Sequence, residues 1–291
     1  AGNDYLLMLL SVILGRGHKV AMENPTYISA YRCFAKLGYA MCTISMDEAG
    51  MRPAELEKSG ADLAYIMPSH QFPMGMVMPM KRRMQLLAWA SRESGRYLIE
   101  DDYDSEFRYR GKPIPSLQSS DDRGKVIYIG TFSKAIAPAI RVSYMVLPET
   151  LLEVYRRDCS FYSCTVSGFE QYAMAAFLEG GYFERHIRRL INDYRGQRER
   201  ICRLFRESPL SQISHIYQDD AGTHFLLHIR TDLSDVEIKW AARQRGILVN
   251  CLSEYCFADA QRYRGILVIH YSDMEDEVLQ KVIRALEEIF L

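Results

Sequence analysis

The sequence predicts an α/β protein: a large domain with a mostly parallel sheet, followed by a smaller C-terminal α+β domain. Three observations carry this. Short apolar runs alternate with helical stretches through the first two thirds of the chain, the pattern of a parallel sheet covered on both faces. The last third changes to long helical stretches, strand-like runs and a closing amphipathic helix. The 291 residues, 48% hydrophobic and 25% charged, have ordinary globular composition and suit about two domains at roughly 100–200 residues each.

In chain order, residues 3–14 read as a helix stopped by Gly15 and Gly17, and Lys19–Met22 as a strand ending at Glu23-Asn24-Pro25. Gly15-Arg16-Gly17 is a turn and not a dinucleotide loop, because the third glycine is absent. A helix over 27–37 ends at Gly38, Tyr39–Ile44 is a strand, and Leu63–Met67 is a buried strand stopped by Pro68. Met80–Ser94 carries Met80, Met84, Leu87 and Ala88 at helical spacing, with Gly95 at its end. Tyr97–Glu100, Val126–Ile129 and Tyr144–Leu147 are further strands. Residues 150–179 and 182–206 read as long helices, the second with Phe183, Ile187, Leu190, Ile191, Tyr194, Ile201, Leu204 and Phe205 on one face. After a turn at Asp219-Asp220-Ala221-Gly222, strands are expected at 223–229, 247–250 and 266–271. A last helix over 275–290 is expected to bury Val278, Leu279, Val282, Ile283, Leu286 and Ile289. No Pro/Gly/Ser linker separates the parts, so the boundary is expected inside a helix, dividing 1–170 from 171–291.

Composition excludes several classes. A net charge of −1 gives no global field to hold nucleic acid or an anionic membrane. The longest apolar run, Tyr5–Leu14, is too short to cross a bilayer and lacks the cationic start of a signal peptide. The seven Cys are scattered without a CxxC, which reads as a reduced cytoplasmic protein with no zinc site. The abrupt start at Ala1-Gly2-Asn3, without Met, reads as a piece of a longer polypeptide. The basic run from Arg185 to Arg200 is interleaved with Glu184, Asp193 and Glu199 and reads as a solvated helix face. The methionines at 74, 76, 78 and 80 read as packing.

In open α/β sheets, sites form beyond the carboxyl ends of the strands. Four strand ends carry unusual polar groups here: Glu23-Asn24-Pro25-Thr26-Tyr27, Pro68-Ser69-His70-Gln71-Phe72-Pro73, Glu100-Asp101-Asp102-Tyr103-Asp104, and Gly130-Thr131-Phe132-Ser133-Lys134. Neighbouring ends offering a carboxylate and an ammonium suit a cofactor with a cationic ring nitrogen and a reactive aldehyde. Gly2-Asn3-Asp4 opens a helix, whose N–H groups favour an anion.

These motifs, with Pro138 and Arg141, the stretch Arg185-His186-Ile187-Arg188-Arg189, and Ala221-Gly222-Thr223-His224, resemble the aminotransferase-like domain of MocR/GabR-type bacterial transcription regulators in the GntR group. The similarity runs nearly the full length. It implies a pyridoxal 5′-phosphate (PLP) domain of fold type I, acting as a homodimer beside a DNA-binding helix-turn-helix domain outside this chain. It also implies roles. Lys134 would form the internal aldimine, Asp101 would pair with the ring nitrogen, and Tyr103 would bond the phenolic oxygen. Tyr27 would stack on the ring. Arg141, Thr131, Ser133 and the backbone at Gly2 and Asn3 would hold the phosphate. His70 and Gln71 would face the cofactor. A small amine or amino acid would exchange with Lys134 to form an external aldimine.

Three positions depart from that pattern. The strand at 266–271, where transaminases of this fold carry a carboxylate-binding Arg, reads Ile-Leu-Val-Ile-His-Tyr, with Arg262 and Arg264 just upstream. The position two residues after Tyr27, an Arg in the GABA-responsive type of regulator, is Ser29. Ser143 stands where Gly is usual. The expectation is therefore an effector-sensing domain, with a true aminotransferase as the alternative.

Overall fold

The computed structural model describes residues 2–109, 114–217, 221–272 and 274–291; Ala1, Asp219 and Asp220 of the sequence-based expectations lie outside them. The elements run in the order α1 (Gly2–Leu14), β1 (Lys19–Asn24), α2 (Ile28–Lys36), β2 (Ala40–Asp47), β3 (Gly50–Met51), α3 (Pro53–Lys58), β4 (Leu63–Ile66), α4 (Met80–Ser91), β5 (Tyr97–Asp102), β6 (Val126–Thr131) and β7 (Ser143–Val146). Then come α5 (Glu149–Asp158), α6 (Gly168–Glu179), α7 (Tyr182–Glu207), β8 (Ser214–Tyr217), β9 (His224–Ile229), α8 (Asp235–Gln244), β10 (Asn250–Cys251), β11 (Ile266–His270) and α9 (Asp276–Phe290).

The chain folds as two compact units. The first comprises the chain up to Phe72, Met76–Ser105 and the stretch ending at Ile187. The second comprises Pro73–Gly75, a short stretch after Ser105, and Arg188–Leu291. The division lies within α7, beyond the position 170 expected from sequence.

The first unit holds a seven-stranded sheet in the order β3-β2-β1-β4-β5-β6-β7. Strands β2, β1, β4, β5 and β6 are parallel, and the edge strands β3 and β7 are antiparallel. Successive strand residues feed opposite cores. Val20 and Met22 of β1, Leu63 and Tyr65 of β4, and Ile99 of β5 pack with Leu7 and Leu10 of α1 and Phe34 of α2. Ala21, Ala64, Ile66 and Leu98 face the other core, with Leu56 of α3 and Leu86, Leu87, Trp89 and Ala90 of α4. Burial on both faces is why these strands read as continuous apolar runs. The order reverses at β1, which lies between β2 and β4, and in such sheets a crevice opens at that switch point.

The second unit holds a four-stranded antiparallel sheet in the order β10-β11-β9-β8. Ile201 and Phe205 of α7, Ile238 of α8, and Leu279, Ile283 and Leu286 of α9 close its core with Phe225, Leu227 and Leu267.

Several expectations are corrected. The stretch 150–179 is two helices, because Ser167 and Glu170 form a capping box that starts α6 afresh. On α4 the buried stripe is Arg83, Leu86, Leu87 and Ala90, whereas Met80, Met84 and Ala88 are exposed. Arg83 belongs to the buried stripe because its guanidinium bonds the carbonyls of Met78, Pro68 and Pro115 at 2.9, 2.7 and 2.7 Å. Met80 thus departs from the packing role that Met76 and Met78 fill in the core. α4 ends at Ser91 with Arg92 as its C-cap, short of Gly95. On α9, Val278 is half exposed rather than buried. The strand expected at 247–250 reduces to the two residues of β10. In the basic run of α7, Arg198 is buried with its guanidinium 5.3 Å from the Tyr109 ring centre, so that face is not wholly solvated. Among the described residues, no helix is long and apolar enough to cross a membrane.

Candidate functional site

The site is built at the carboxyl ends of β1, β4, β5 and β6, and every residue in it belongs to the first unit. Asp101 lies near the end of β5 and is only 2% exposed. Its partners are neutral: the Asn3 amide donates to Oδ1 at 3.1 Å, and the Tyr65 hydroxyl donates to Oδ2. Burial pushes the carboxyl up to about 6, opposed by those two donors and reinforced by the carboxylates of Asp102 and Asp104. A buried acid with neutral donors and negative neighbours is arranged to receive a cation.

Three aromatic rings stand around it. Tyr27, in extended conformation before α2, meets Phe72 edge-on at 6.1 Å, and Phe72 meets Tyr103 edge-on at 6.3 Å. Burial raises the Tyr27 hydroxyl, opposed by Ser29, and the charges of Asp4, Asp101 and Arg141 reach it. Beyond Tyr103 lies a buried pair: His70 Nδ1 is 2.8 Å from Asp104 Oδ2, and the Tyr103 hydroxyl is 2.9 Å from the same nitrogen. Gln71 donates from Nε2 to the Pro25 carbonyl at 3.0 Å, which ties the loop after β4 to the loop after β1.

On the β6 side, Thr131, Ser133 and Ser143 form a cluster of hydroxyls. Thr131 Oγ1 lies 3.1 Å from Ser133 Oγ and 3.0 Å from Ser143 Oγ, and it accepts from the Ser133 amide at 3.2 Å. Lys134 follows in the turn that begins where β6 ends, with Ile136 N bonded back to Phe132 O at 2.8 Å. Arg141 adopts a left-handed backbone, φ 50°, just before β7. Its carbonyl accepts from Gly2 N at 2.7 Å, and its guanidinium lies 3.5 Å from Asp4. The first turn of α1 therefore meets Arg141 directly. A side chain at Gly2 would press its Cβ against the guanidinium, which would have to swing aside, and the backbone there, at φ 35°, strains any residue but glycine.

The structure thus groups Asp101, Tyr103, Tyr27 and His70, and it groups Arg141, Gly2, Thr131 and Ser133. The side chain of Asn3 turns to Asp101, which leaves only its backbone for an anion. Sequence reasoning does not mention Tyr65 and assigns no cofactor role to Asp104 or Ser143. A buried Tyr on a central strand must place its hydroxyl against a partner, and that was the available signal for Tyr65. Asp104 had none beyond its place in an acidic run. Ser143 was read as a departure, whereas it completes the hydroxyl cluster.

In the second unit, β11 carries no arginine, and the Arg264 guanidinium is bonded to the carbonyls of Leu233 and Asp232. The Gly222 carbonyl accepts from the hydroxyls of Tyr109 and Tyr271, both at 2.6 Å.

A parallel sheet presenting acid, lysine and anion-binding groups from one edge is the architecture of aminotransferase-like domains. Kynurenine aminotransferase of Pyrococcus horikoshii, solved in complex with PMP, superposes with a TM-score of 0.84 at 25% identity over 99% of this chain and 73% of that one. The chain belongs to the aminotransferase class I and II family, whose model matches residues 1–286. Among curated relatives, the HTH-type transcriptional regulator YhdI of Bacillus subtilis, itself described as uncharacterized, is 36% identical over 99% of this chain and 60% of that protein. The probable rhizopine catabolism regulatory protein MocR of Rhizobium meliloti is 30% identical over 98% of this chain and 57% of that protein. The chain spans little more than half the length of these relatives.

The cofactor this family implies is PLP. The residues present fit it. Asn3 Oδ1 is buried without a hydrogen-bond partner among the described residues, beside an acid whose donors are all neutral. The Gly2–Arg141 contact and the three hydroxyls offer positive and donor groups for a phosphate.

Proposed function

We propose that this chain is the PLP-binding, effector-sensing domain of a MocR-type regulator of the GntR family. When bound, the cofactor supplies a reactive carbonyl and a ring that withdraws electrons. Lys134 is the amine that anchors it. Asp101 keeps the ring nitrogen protonated, Tyr103 donates to the phenolic oxygen, and Tyr27 covers the ring. Arg141, Thr131 and Ser133, with the backbone at Gly2 and Asn3, hold the phosphate, and Ser143 joins them. His70 stands behind Tyr103. A small amine or amino acid would take the place of Lys134 on the cofactor carbonyl, which would leave the lysine amine free. Only a difference in ligand affinity between two states can drive a regulatory switch. DNA is contacted by a helix-turn-helix domain outside this chain, and the working form is a cytoplasmic homodimer.

The observation that carries this reading is the convergence of Asp101, Tyr103, the Lys134 turn and the Arg141 cluster on one sheet edge. The missing arginine on β11, with Arg264 committed to backbone carbonyls, favours sensing over transamination. The regulator names among the relatives support it too.

The first test is the visible spectrum of the protein with added PLP, beside Lys134→Ala. A lysine-dependent band in the parent alone supports the reading, and identical spectra overturn it. A panel of amino acids then separates the alternatives. Reversible displacement of the band fits a sensor. Stoichiometric formation of the pyridoxamine form with release of an oxo acid would instead establish an aminotransferase.

A further inference from the structure

We propose that Asp104 and His70 act as a positioning pair that fixes the direction of the Tyr103 hydroxyl proton: Asp104 holds a hydrogen on His70 Nδ1, and that hydrogen obliges Tyr103 to donate into the site. The inference deepens the reading that PLP occupies this edge of the sheet.

The geometry leaves few arrangements. His70 and Asp104 are both buried, and Nδ1 lies 2.8 and 3.0 Å from the two Asp104 oxygens. The Tyr103 oxygen is 2.9 Å from the same nitrogen. An imidazole nitrogen carries either a hydrogen or a lone pair. A lone pair would face the lone pairs of a carboxylate out of water, which is strongly unfavourable. Nδ1 therefore carries the hydrogen and gives it to Asp104. The Tyr103 oxygen, beside the same N–H, can accept a share of that hydrogen and cannot donate to it. Its own hydrogen must point elsewhere.

The surroundings keep that hydrogen on the oxygen. Burial and the carboxylates of Asp104, Asp101 and Asp102 hold the Tyr103 phenol well above its ordinary range. The His70 ring, inclined by 30° at 5.9 Å, and the edge of Phe72 stand against its ring. Tyr103 is thus a permanent donor with a set direction. A donor of this kind suits a phenolate oxygen on a pyridine ring whose nitrogen is held by Asp101, two residues earlier on the same strand end.

Two measurements test this. Without cofactor, 15N NMR of the His70 ring in the full chain should show the hydrogen on Nδ1. Neutral His70 with its hydrogen on Nε2 alone would overturn the proposal, whatever the fate of the PLP reading. With PLP, the lysine-dependent visible band is titrated with pH. Losing the donor concentrates negative charge on the phenolic oxygen, so Tyr103→Phe should raise the band midpoint by on the order of one pH unit. Asp104→Leu frees Nδ1 to accept from Tyr103 and should raise the midpoint equally. The double variant should shift no further. Asp104→Asn keeps an acceptor for Nδ1–H and should stay near the parent. A midpoint unmoved by Asp104→Leu while Tyr103→Phe moves it, or shifts that add in the double variant, would sink the coupling. A parent without any band refutes the PLP reading alone and leaves the NMR result standing.

Discussion

Asp101 is a carboxyl group poised near neutrality by its burial, so its charge follows pH in a range that matters. A ring cation beside it stabilises the ionised form, and binding therefore favours deprotonation. The affinity for PLP is expected to hold steady above pH 7 and to weaken progressively as pH falls through about 6. Fluorescence or absorbance titrations at pH 5, 6 and 7.5 check this, and Asp101→Asn should bind weakly with little dependence on pH. Residues such as Asp101, Lys134 and Arg141 were legible in the sequence because acid, amine and guanidinium follow strands and have few structural reasons to do so. Tyr65, Asp104 and Ser143 were not. A tyrosine inside an apolar strand reads as core, a fourth acid in a run reads as surface, and a serine in place of glycine reads as loss. Their roles depend on strands that neighbour each other in space and not in sequence.

Among the elements, α4 and β1 each carry a buried charge-bearing group, Arg83 and Glu23. Arg83 ties α4 to three carbonyls, one of them Pro68 at the foot of the loop that carries His70. Arg83→Met takes a buried donor from each of those carbonyls, of which Pro68 still accepts from the Met78 amide, and should lower stability by about 3 kcal/mol. Denaturant unfolding measures the loss, and weaker PLP binding should accompany it. Glu23 in β1 is fully buried, and burial pushes its carboxyl up to about 7, against the nearby Gln71 amide and the backbone at Met51 and Met67. Its folded pKa is above the unfolded value of 4.5, so the folded state holds the extra proton between those limits. The burial penalty is absent below pH 4.5, grows as pH rises, and is complete above about 7. Glu23→Gln should therefore stabilise the protein at pH 8, by up to about 3 kcal/mol, and change little at pH 4.5. Element types were readable wherever both faces of a strand are buried or one helix stripe is apolar. Short elements were not. α3 has six residues, and α8 sets the exposed Val236 and Trp240 among polar neighbours, which blurs its periodicity.

At the scale of the whole molecule, composition and strand–helix alternation were enough for the fold class, because a parallel sheet needs both faces covered and its sequence records that need. The boundary between units was not readable, since it falls inside one amphipathic helix with no break in pattern. The surface carries a concentration of large apolar groups between Phe161 and Tyr182 in the first unit. Phe169 is 85% exposed and Tyr172 82% exposed, and Phe161, Tyr162 and Tyr182 are also open to solvent. Patches of this kind mark association surfaces. A homodimer using this surface should sediment as one species of twice the chain mass. The double variant Phe169→Asp, Tyr172→Asp should shift it to monomer with its circular dichroism unchanged.

The hydroxyl trio of Thr131, Ser133 and Ser143 has a kinetic consequence. These groups bond to one another, and Gly2 bonds to Arg141. Rotating three O–H bonds re-aims them, and no backbone has to order. Encounter with a phosphorylated ligand is then a single diffusive event followed by proton reorientation on the picosecond scale. Capture of the anion should be fast and proportional to concentration, and a slower phase lost in Lys134→Ala would be the covalent step proposed for that residue.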